Sequence, residues 1–221
     1  MSRPARGGVR PPDLPERLEP FDPVRAPTPR EISERSIEDA TLSGAPRERL
    51  SITSSRARAA RFAGASVENL TDTVLEHCDL ANAEWSNARL RRAEFRECRG
   101  TGLGLGGATL TDVAFIGCKL NLACFIGASL TQVRFEGCDL READFDSAGL
   151  ESVVFRRCEL GGARLVRSSL ARVDLRGSRL GAIVLSPEMV RGCTIDEAQA
   201  VTFAASLGLR VEPIDDSSNG F

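Results

Sequence analysis

The sequence predicts an all-β fold, a four-sided parallel β-solenoid, because two repeat periods coexist in one stretch of the chain. From Leu75 to Leu185 nearly every fifth residue is Leu or Phe, and a small or β-branched residue stands two positions before most of them. A period of five matches neither an α-helix nor a simple strand. It is typical of a chain that turns a corner every five residues and points one large and one small side chain inward.

The second period is 20 residues, which is four of these five-residue segments. It is carried by the cysteines Cys78, Cys98, Cys118, Cys138 and Cys158 and by the phenylalanines Phe95, Phe115, Phe135 and Phe155. Four segments therefore make one coil, and equivalent residues stack as columns in a shared core. If the coils pair like parallel strands, each coil adds about 4.8 Å.

Three segments carry a recognisable motif. Residues 78–82 read CDLAN, residues 143–147 read ADFDS, and residues 173–177 read VDLRG. They resemble the A(D/N)LXX motif of the pentapeptide-repeat family. The resemblance implies a right-handed quadrilateral β-helix, and the handedness comes from the family alone.

The ends of the chain depart from the regular repeat. Residues 1–30 are rich in Pro and Arg and predict a disordered or irregular lead. Residues 31–195 are assigned to the β-helix, which is regular from about 75 to 185. A slip in spacing between Val67 and Leu75 predicts a bulge or loop. Residues 196–221 are assigned to a short C-terminal α-helix and a tail.

The predicted helix spans residues 196–207. Asp196 followed by Gln199 is a capping box, and Ala198, Val201, Ala205 and Leu207 form an apolar stripe. One role is to cover the open end of the β-helix, whose unpaired edge invites aggregation. The resemblance implies a second role, a homodimer through Val201, Ala205 and Leu207, and both roles are compatible.

The cysteine column is the strongest candidate for chemical reactivity in the sequence, because stacked thiols could form a metal site or a redox relay. Its members occupy a small inward slot, where Cys packs as a small hydrophobe. A straight column also lacks the tetrahedral arrangement that zinc requires. We therefore predict a packing role for this column, and Cys124 and Cys193, which lie outside it, as the more exposed thiols.

Two other features could suggest a functional site, but the residues around them do not support one. Residues 102–107 match GxGxxG, yet the strand, helix and acidic residue of a dinucleotide site do not accompany them. His77 is the one histidine. We predict no catalytic, cofactor-binding or metal-binding residue and no small-molecule substrate. The protein is expected not to be an enzyme.

Composition favours a cytoplasmic protein. The net charge is −2, there are seven cysteines, and no apolar run has the length of a membrane span or of a signal peptide. Cysteines in a chain without an export signal indicate a reducing compartment and free thiols.

Charge is arranged in bands along the repeat. Residues 70–185 hold 15 acidic and 15 basic residues. A candidate interaction surface combines an acidic and a basic band, and its members are Glu136, Asp139, Glu142, Asp144, Asp146, Glu151, Arg156, Arg157, Arg164 and Arg167. Stacking should place Asp79 below Arg99, Asp144 below Arg164 and Glu136 below Arg156. These pairs either support coil stacking alone or pattern a surface for a protein partner.

The predicted function is a non-catalytic protein-interaction surface in the bacterial cytosol. The resemblance implies an alternative, a DNA mimic that binds DNA gyrase or topoisomerase IV and protects it against topoisomerase poisons. A DNA mimic should present uncompensated acids, whereas this repeat is electrically balanced. Direct nucleic-acid binding through residues 156–179 is disfavoured, because the surface lacks aromatic stacking platforms.

Overall fold

The computed structural model describes residues 8–23, 30–42, 49–62, 64–170, 172–186, 188, 190–206 and 208–212. They form a parallel β-solenoid of about eight turns with one short C-terminal helix, so the predicted fold class is confirmed. The strands are β1 Glu19–Pro20, β2 Glu31–Ser33, β3 Arg35–Glu38, β4 Arg49–Arg58, β5 Ser66–Glu76, β6 Arg89–Arg96, β7 Thr109–Ile116, β8 Ser129–Glu136, β9 Gly149–Glu151, β10 Val154–Arg156, β11 Arg164–Leu165 and β12 Val184–Leu185. The helix α1 is Glu197–Ser206.

All the strand pairs are parallel, and most follow the 20-residue step. The main path of the larger sheet is β1-β3-β4-β5-β6-β7-β8-β10. Within it Leu90 aligns with Leu110 and Leu110 with Leu130. We number the four faces by the inward residue that each carries in the central coil. Face 1 holds Leu110, face 2 Phe115, face 3 Leu120 and face 4 Phe125.

The corners explain the five-residue period. Every fifth residue from Asp72 to Ala182 has a positive φ, and examples are Asn82 at 54° and Glu142 at 57°. A left-handed residue turns the extended chain sharply. Because one such residue recurs in each segment, the backbone bends at equal intervals and closes a four-sided coil.

The interior is filled by its own side chains. The rings of Phe115 and Phe135 stack with centroids 5.0 Å apart, and Phe125 meets Phe135 edge-on at 5.9 Å. The alternation of stacked and edge-on rings is a favourable packing for aromatic side chains. All three rings are fully buried. The solenoid is therefore a packed core and offers its outer faces for contact.

The spacing slip is a β-bulge in β5. Leu50 aligns with Val67, but Ser51 aligns with Asn69, so Glu68 is an extra residue on the β5 side. In the same pairing Ile52 aligns with Leu70, a step of 18 residues instead of 20. The bulge between Val67 and Leu75 is thus confirmed, and the regular repeat begins above it.

The helix α1 is joined to the last coil by hydrogen bonds. The Gln199 amide donates to the carbonyls of Leu175 and Ser178 at 2.6 and 2.7 Å. Asp196 accepts the Gln199 N–H and Gln199 accepts the Asp196 N–H, both at 3.0 Å, which is the predicted capping box. These contacts attach the helix to the end of the solenoid. Among the described residues, no helix combines the length and the apolar character needed to cross a membrane.

Candidate protein-interaction surface

The cysteine column lies inside the solenoid at the start of face 3. Its five members are about 1% exposed, and all seven cysteines are free thiols. The Cys118 thiol donates to the Phe95 carbonyl at 3.4 Å, and the Cys138 thiol donates to the Phe115 carbonyl at 3.3 Å. Ser178 continues the column and donates to the Phe155 carbonyl at 3.1 Å. The slot therefore takes a small side chain that can satisfy a buried carbonyl.

Burial keeps these thiols away from solvent and from reagents, which works against thiol chemistry, and at the Cys158 end of the column ionisation is also opposed. The neighbouring Cys138 thiol and burial raise the pKa of the Cys158 thiol. A protonated thiol is a poor nucleophile and a poor metal ligand. Within the described ranges, no cluster of three or more His, Cys, Asp or Glu side chains could hold a metal ion. Outside the column, Cys124 and Cys193 are half-buried.

The charges outside the core are paired across coils. Arg99 binds Asp79 at 2.9 Å, as the stacking argument predicts, and Arg164 lies 3.4 Å from Asp144. The third predicted stacking is confirmed as well, because Arg156 aligns with Glu136. The ion pairs of Glu136 are made by other arginines, namely Arg134 on the same strand at 3.7 Å and Arg157 at the corner of the next coil.

Most acids of the repeat are compensated by arginine, either across neighbouring coils or, for Glu94, Asp139 and Asp174, by the arginine two residues further on. Eleven of the fifteen acidic residues in the described part of 70–185 form an ion pair with an arginine, namely Asp72, Glu76, Asp79, Glu94, Glu136, Asp139, Asp144, Asp146, Glu151, Glu159 and Asp174. The guanidinium of Arg141 lowers the pKa of the Asp139 carboxyl, and that of Arg176 lowers the pKa of the Asp174 carboxyl. Each exposed pair contributes about 0–1 kcal/mol to stability.

The ten candidate surface residues do not form one patch. Glu151 lies on face 1, Glu136 and Arg156 on face 2, and Asp139 on face 3. Arg157 and Glu142 occupy the corners at either end of face 3. Asp144, Asp146, Arg164 and Arg167 belong to face 4 and its far corner. The bands wrap around the coils because one coil visits all four faces, so neighbours in sequence point in different directions.

Sequence reasoning missed a neutral zone on face 4. Residues 100–133 contain two charged residues, Asp112 and Lys119, and neither belongs to that face. The side chains of Leu122 and Ile126 are 54% and 46% exposed. Leu122 stands at the corner between faces 3 and 4. Together with the half-buried Gly106 and Cys124 of face 4, the two side chains form what we call the apolar patch. On its other side the Glu84 carboxylate lies over the buried Gly104. The signal was present in the sequence as a gap between the charge bands.

The patch has a charged border. Gly104 aligns with Cys124, and Cys124 aligns with Asp144 in the next coil. The N–H of Gly127, which follows Ile126, donates to the Asp146 carbonyl at 2.9 Å. An uncharged centre with a charged rim is the usual anatomy of a protein–protein interface. The rim residues, Asp144, Asp146, Arg164 and Arg167, are four of the ten predicted surface residues.

Comparison with known families agrees with the repeat geometry. A family model described as "Pentapeptide repeat region" matches residues 68–145 and 108–185, which together make up more than half of the chain. The chain belongs to the pentapeptide-repeat family. Both the cysteine column and the apolar patch of this pentapeptide-repeat protein lie inside the matched region, whereas residues 8–62 and α1 lie outside it.

Several solved structures are similar to this pentapeptide-repeat protein in fold. A trypsin-treated variant of QnrB1, a plasmid-mediated fluoroquinolone resistance protein, is 20% identical, with a TM-score of 0.36 over 80% of this chain and 99% of that one. HetL of the cyanobacterium Nostoc, involved in heterocyst differentiation regulation, is 19% identical, with a TM-score of 0.31 over 74% and 86%. A thylakoid lumen protein of Arabidopsis thaliana is 20% identical, with a TM-score of 0.30 over 64% and 82%. The search of curated proteins found no match.

The terminal helix of this pentapeptide-repeat protein packs on the last coil through a side other than its apolar stripe. Gln199 is buried and Phe203 packs partly against the core. Val201 is 50% exposed and Ala205 is exposed, so the predicted stripe faces outward. The stripe does not cover the end of the solenoid, because the capping box sets the rotation of the helix and its Gln199 bonds to the last coil. The third predicted dimer residue, Leu207, lies outside the described residues.

Proposed function

We propose that this pentapeptide-repeat protein is a non-catalytic interaction module of the bacterial cytosol, and that a protein partner docks on the apolar patch. The observation that carries the proposal is the exposure of Leu122 and Ile126 on a face whose two central coils carry no charge. Burial of exposed aliphatic side chains is the main favourable term in protein association. On the charged faces of the repeat, paired charges would lose hydration on binding with little gain.

The compartment and the lack of catalysis belong to the same proposal. Seven free thiols suit a reducing compartment. The core is filled by stacked side chains, which supports an outer surface as the working part. Val201 and Ala205 on the outer side of α1 are the proposed contact with a second copy.

We expect a photo-cross-linking side chain at position 126, expressed in the cells that carry the protein, to give a discrete adduct with one partner. The same side chain at Thr109, an exposed residue of face 1, is the matched control and should give no such adduct. In addition, Ile126→Arg should lower recovery of that partner at least about tenfold, since a buried apolar anchor contributes 1.4 kcal/mol or more. The proposal fails if both positions give the same adduct, or if Ile126→Arg leaves recovery unchanged.

The gyrase-directed alternative makes a different prediction. Most acids of the repeat are paired with arginine, and the centre of face 4 is uncharged. A surface of this kind does not reproduce the line of phosphates that a DNA-binding saddle recognises. We therefore expect micromolar protein to change neither gyrase supercoiling nor the cleavage trapped by a gyrase poison. Inhibition that weakens as salt rises would instead establish the DNA mimic.

A further inference from the structure

The N-terminal segment runs along one corner of the solenoid. Its strand β1, Glu19–Pro20, pairs with β3 at the first coil, and Phe21 packs against the core. From there the chain continues toward lower residue numbers along the corner between faces 1 and 2. We call residues 8–18 the strap. Its half-buried apolar residues are Val9, Pro12, Leu14, Pro15 and Leu18, whereas Pro11 is exposed.

Two backbone hydrogen bonds attach the strap to this corner. The Arg10 N–H donates to Asp112 Oδ1 at 3.2 Å, and the Asp13 N–H donates to Asp72 Oδ1 at 2.9 Å. Both carboxylates belong to corner residues with positive φ, and they are 4% and 7% exposed. Arg92 lies between them and donates from Nε to Asp72 at 2.6 Å. These buried acceptors are therefore satisfied in part by a segment far away in sequence.

The spacing of the strap matches the spacing of the coils. Asp72 and Asp112 are two coils apart, which is about 9.6 Å at a strand separation of 4.8 Å. Arg10 and Asp13 are three residues apart, which is about 10 Å in an extended chain. The two intervening residues are Pro11 and Pro12. Proline has no N–H and favours an extended backbone. The only backbone N–H groups of residues 10–13 are therefore those of Arg10 and Asp13, and both are hydrogen-bonded.

We propose that the corner formed by Asp72, Arg92 and Asp112 is a peptide-binding site, and that the strap is its ligand bound in cis. The site recognises an extended segment of the form X-Pro-Pro-X, in which the two outer residues donate backbone N–H groups to carboxylates on alternate coils. It lies on the corner between faces 1 and 2, so it is separate from the apolar patch on face 4. Covalent linkage holds the strap at an effective concentration that a free peptide reaches only near the millimolar range.

The first test measures the two hydrogen bonds directly in the full chain. Asp72→Gly and Asp112→Gly remove the acceptors, and glycine accepts the positive φ of these corners without strain. We expect amide hydrogen exchange of Arg10 and Asp13, followed by NMR, to be protected in the parent protein. Exchange of Asp13 should accelerate at least about tenfold in Asp72→Gly, and exchange of Arg10 likewise in Asp112→Gly, since hydrogen bonds to charged acceptors are strong.

Gln132→Gly is the matched control, because Gln132 stands at the next corner of the same column with φ of 55°. It should leave the exchange of both strap amides unchanged. If the parent amides exchange at the rate of an unstructured chain, or if Gln132→Gly has the same effect as Asp112→Gly, the site does not exist as proposed.

The second test asks whether the corner accepts the ligand in trans. Arg10→Pro with Asp13→Pro removes both donors from the strap of the full chain. A synthetic peptide of residues 8–18 should then shift the amide resonances of Asp72 and Asp112 in a saturable way. A peptide carrying the same two prolines should bind at least about tenfold more weakly, and Asp112→Gly in the protein should have the same effect. Absence of saturable shifts, or equal binding of both peptides, would overturn the proposal.

Discussion

Phe135→Ala is expected to lower the free energy of unfolding by about 3–5 kcal/mol, the range measured when a buried Phe is truncated. Phe135 stacks on Phe115 and Phe155 with centroids 5.0 Å apart and meets Phe145 edge-on at 6.1 Å. Its neighbours are held by the coils above and below, so the cavity has little opportunity to close. Equilibrium unfolding in urea, followed by the fluorescence of the single tryptophan, Trp85, measures the loss.

Phe135→Leu is the control for this experiment. Leucine occupies the same column at Leu75, which aligns with Phe95, and at Leu175 in a later coil. A branched aliphatic side chain therefore fits the column, and we expect a loss of about 1 kcal/mol. Equal losses for Ala and Leu would mean that the column is loosely packed, contrary to the ring stacking described above.

Gly100→Leu is expected to destabilise the protein by about 1–3 kcal/mol through overpacking. Gly100 stands at an inward position that holds Leu or Phe in most segments. A Cβ added there would lie 2.9 Å from Leu120 Cδ2 and 3.6 Å from Leu103 Cβ. Leu103, which is fully buried, sits in a slot that holds a small residue elsewhere and fills the space. The same unfolding measurement detects the loss.

The double variant Gly100→Leu with Leu103→Ala decides whether this explanation is correct. Leu103→Ala alone leaves a cavity and should cost about 2–5 kcal/mol. Together the two changes restore the ordinary large and small positions of the repeat. The double variant should thus be more stable than Leu103→Ala, with a coupling energy of about 2 kcal/mol or more between the two sites. Additive losses would show that Gly100 and Leu103 do not compensate each other.

Much of the fold could be predicted from the sequence because the solenoid is locally encoded. Each five-residue segment carries its own inward pair and corner, so periods of five and 20 determine the coil and its stacked columns. Phe115 and Phe135 could be assigned to one column from their spacing alone. The bulge near Glu68 was detectable for the same reason, since an extra residue breaks a period.

The arrangement of the surface residues and of the chain ends could not be predicted from the repeat periods. The ten predicted surface residues lie on several faces, because a run of sequence wraps around the coil. The apolar patch of Leu122 and Ile126 depends on which outward positions share face 4. The outward side of α1 follows from the bonds of Gln199 to the last coil, which hydrophobic spacing did not show.

By itself, the sequence determined the four-sided β-solenoid, because burial of inward side chains at a constant step leaves one arrangement, and its motifs indicated the family by resemblance. The tertiary structure decided the contacts between residues that are far apart in the chain and follow no period. Among them are the binding of Arg10 and Asp13 to Asp112 and Asp72, and the choice of Arg157 as partner of Glu136. Such contacts depend on the position of a corner or strap in three dimensions, which a repeat period does not encode.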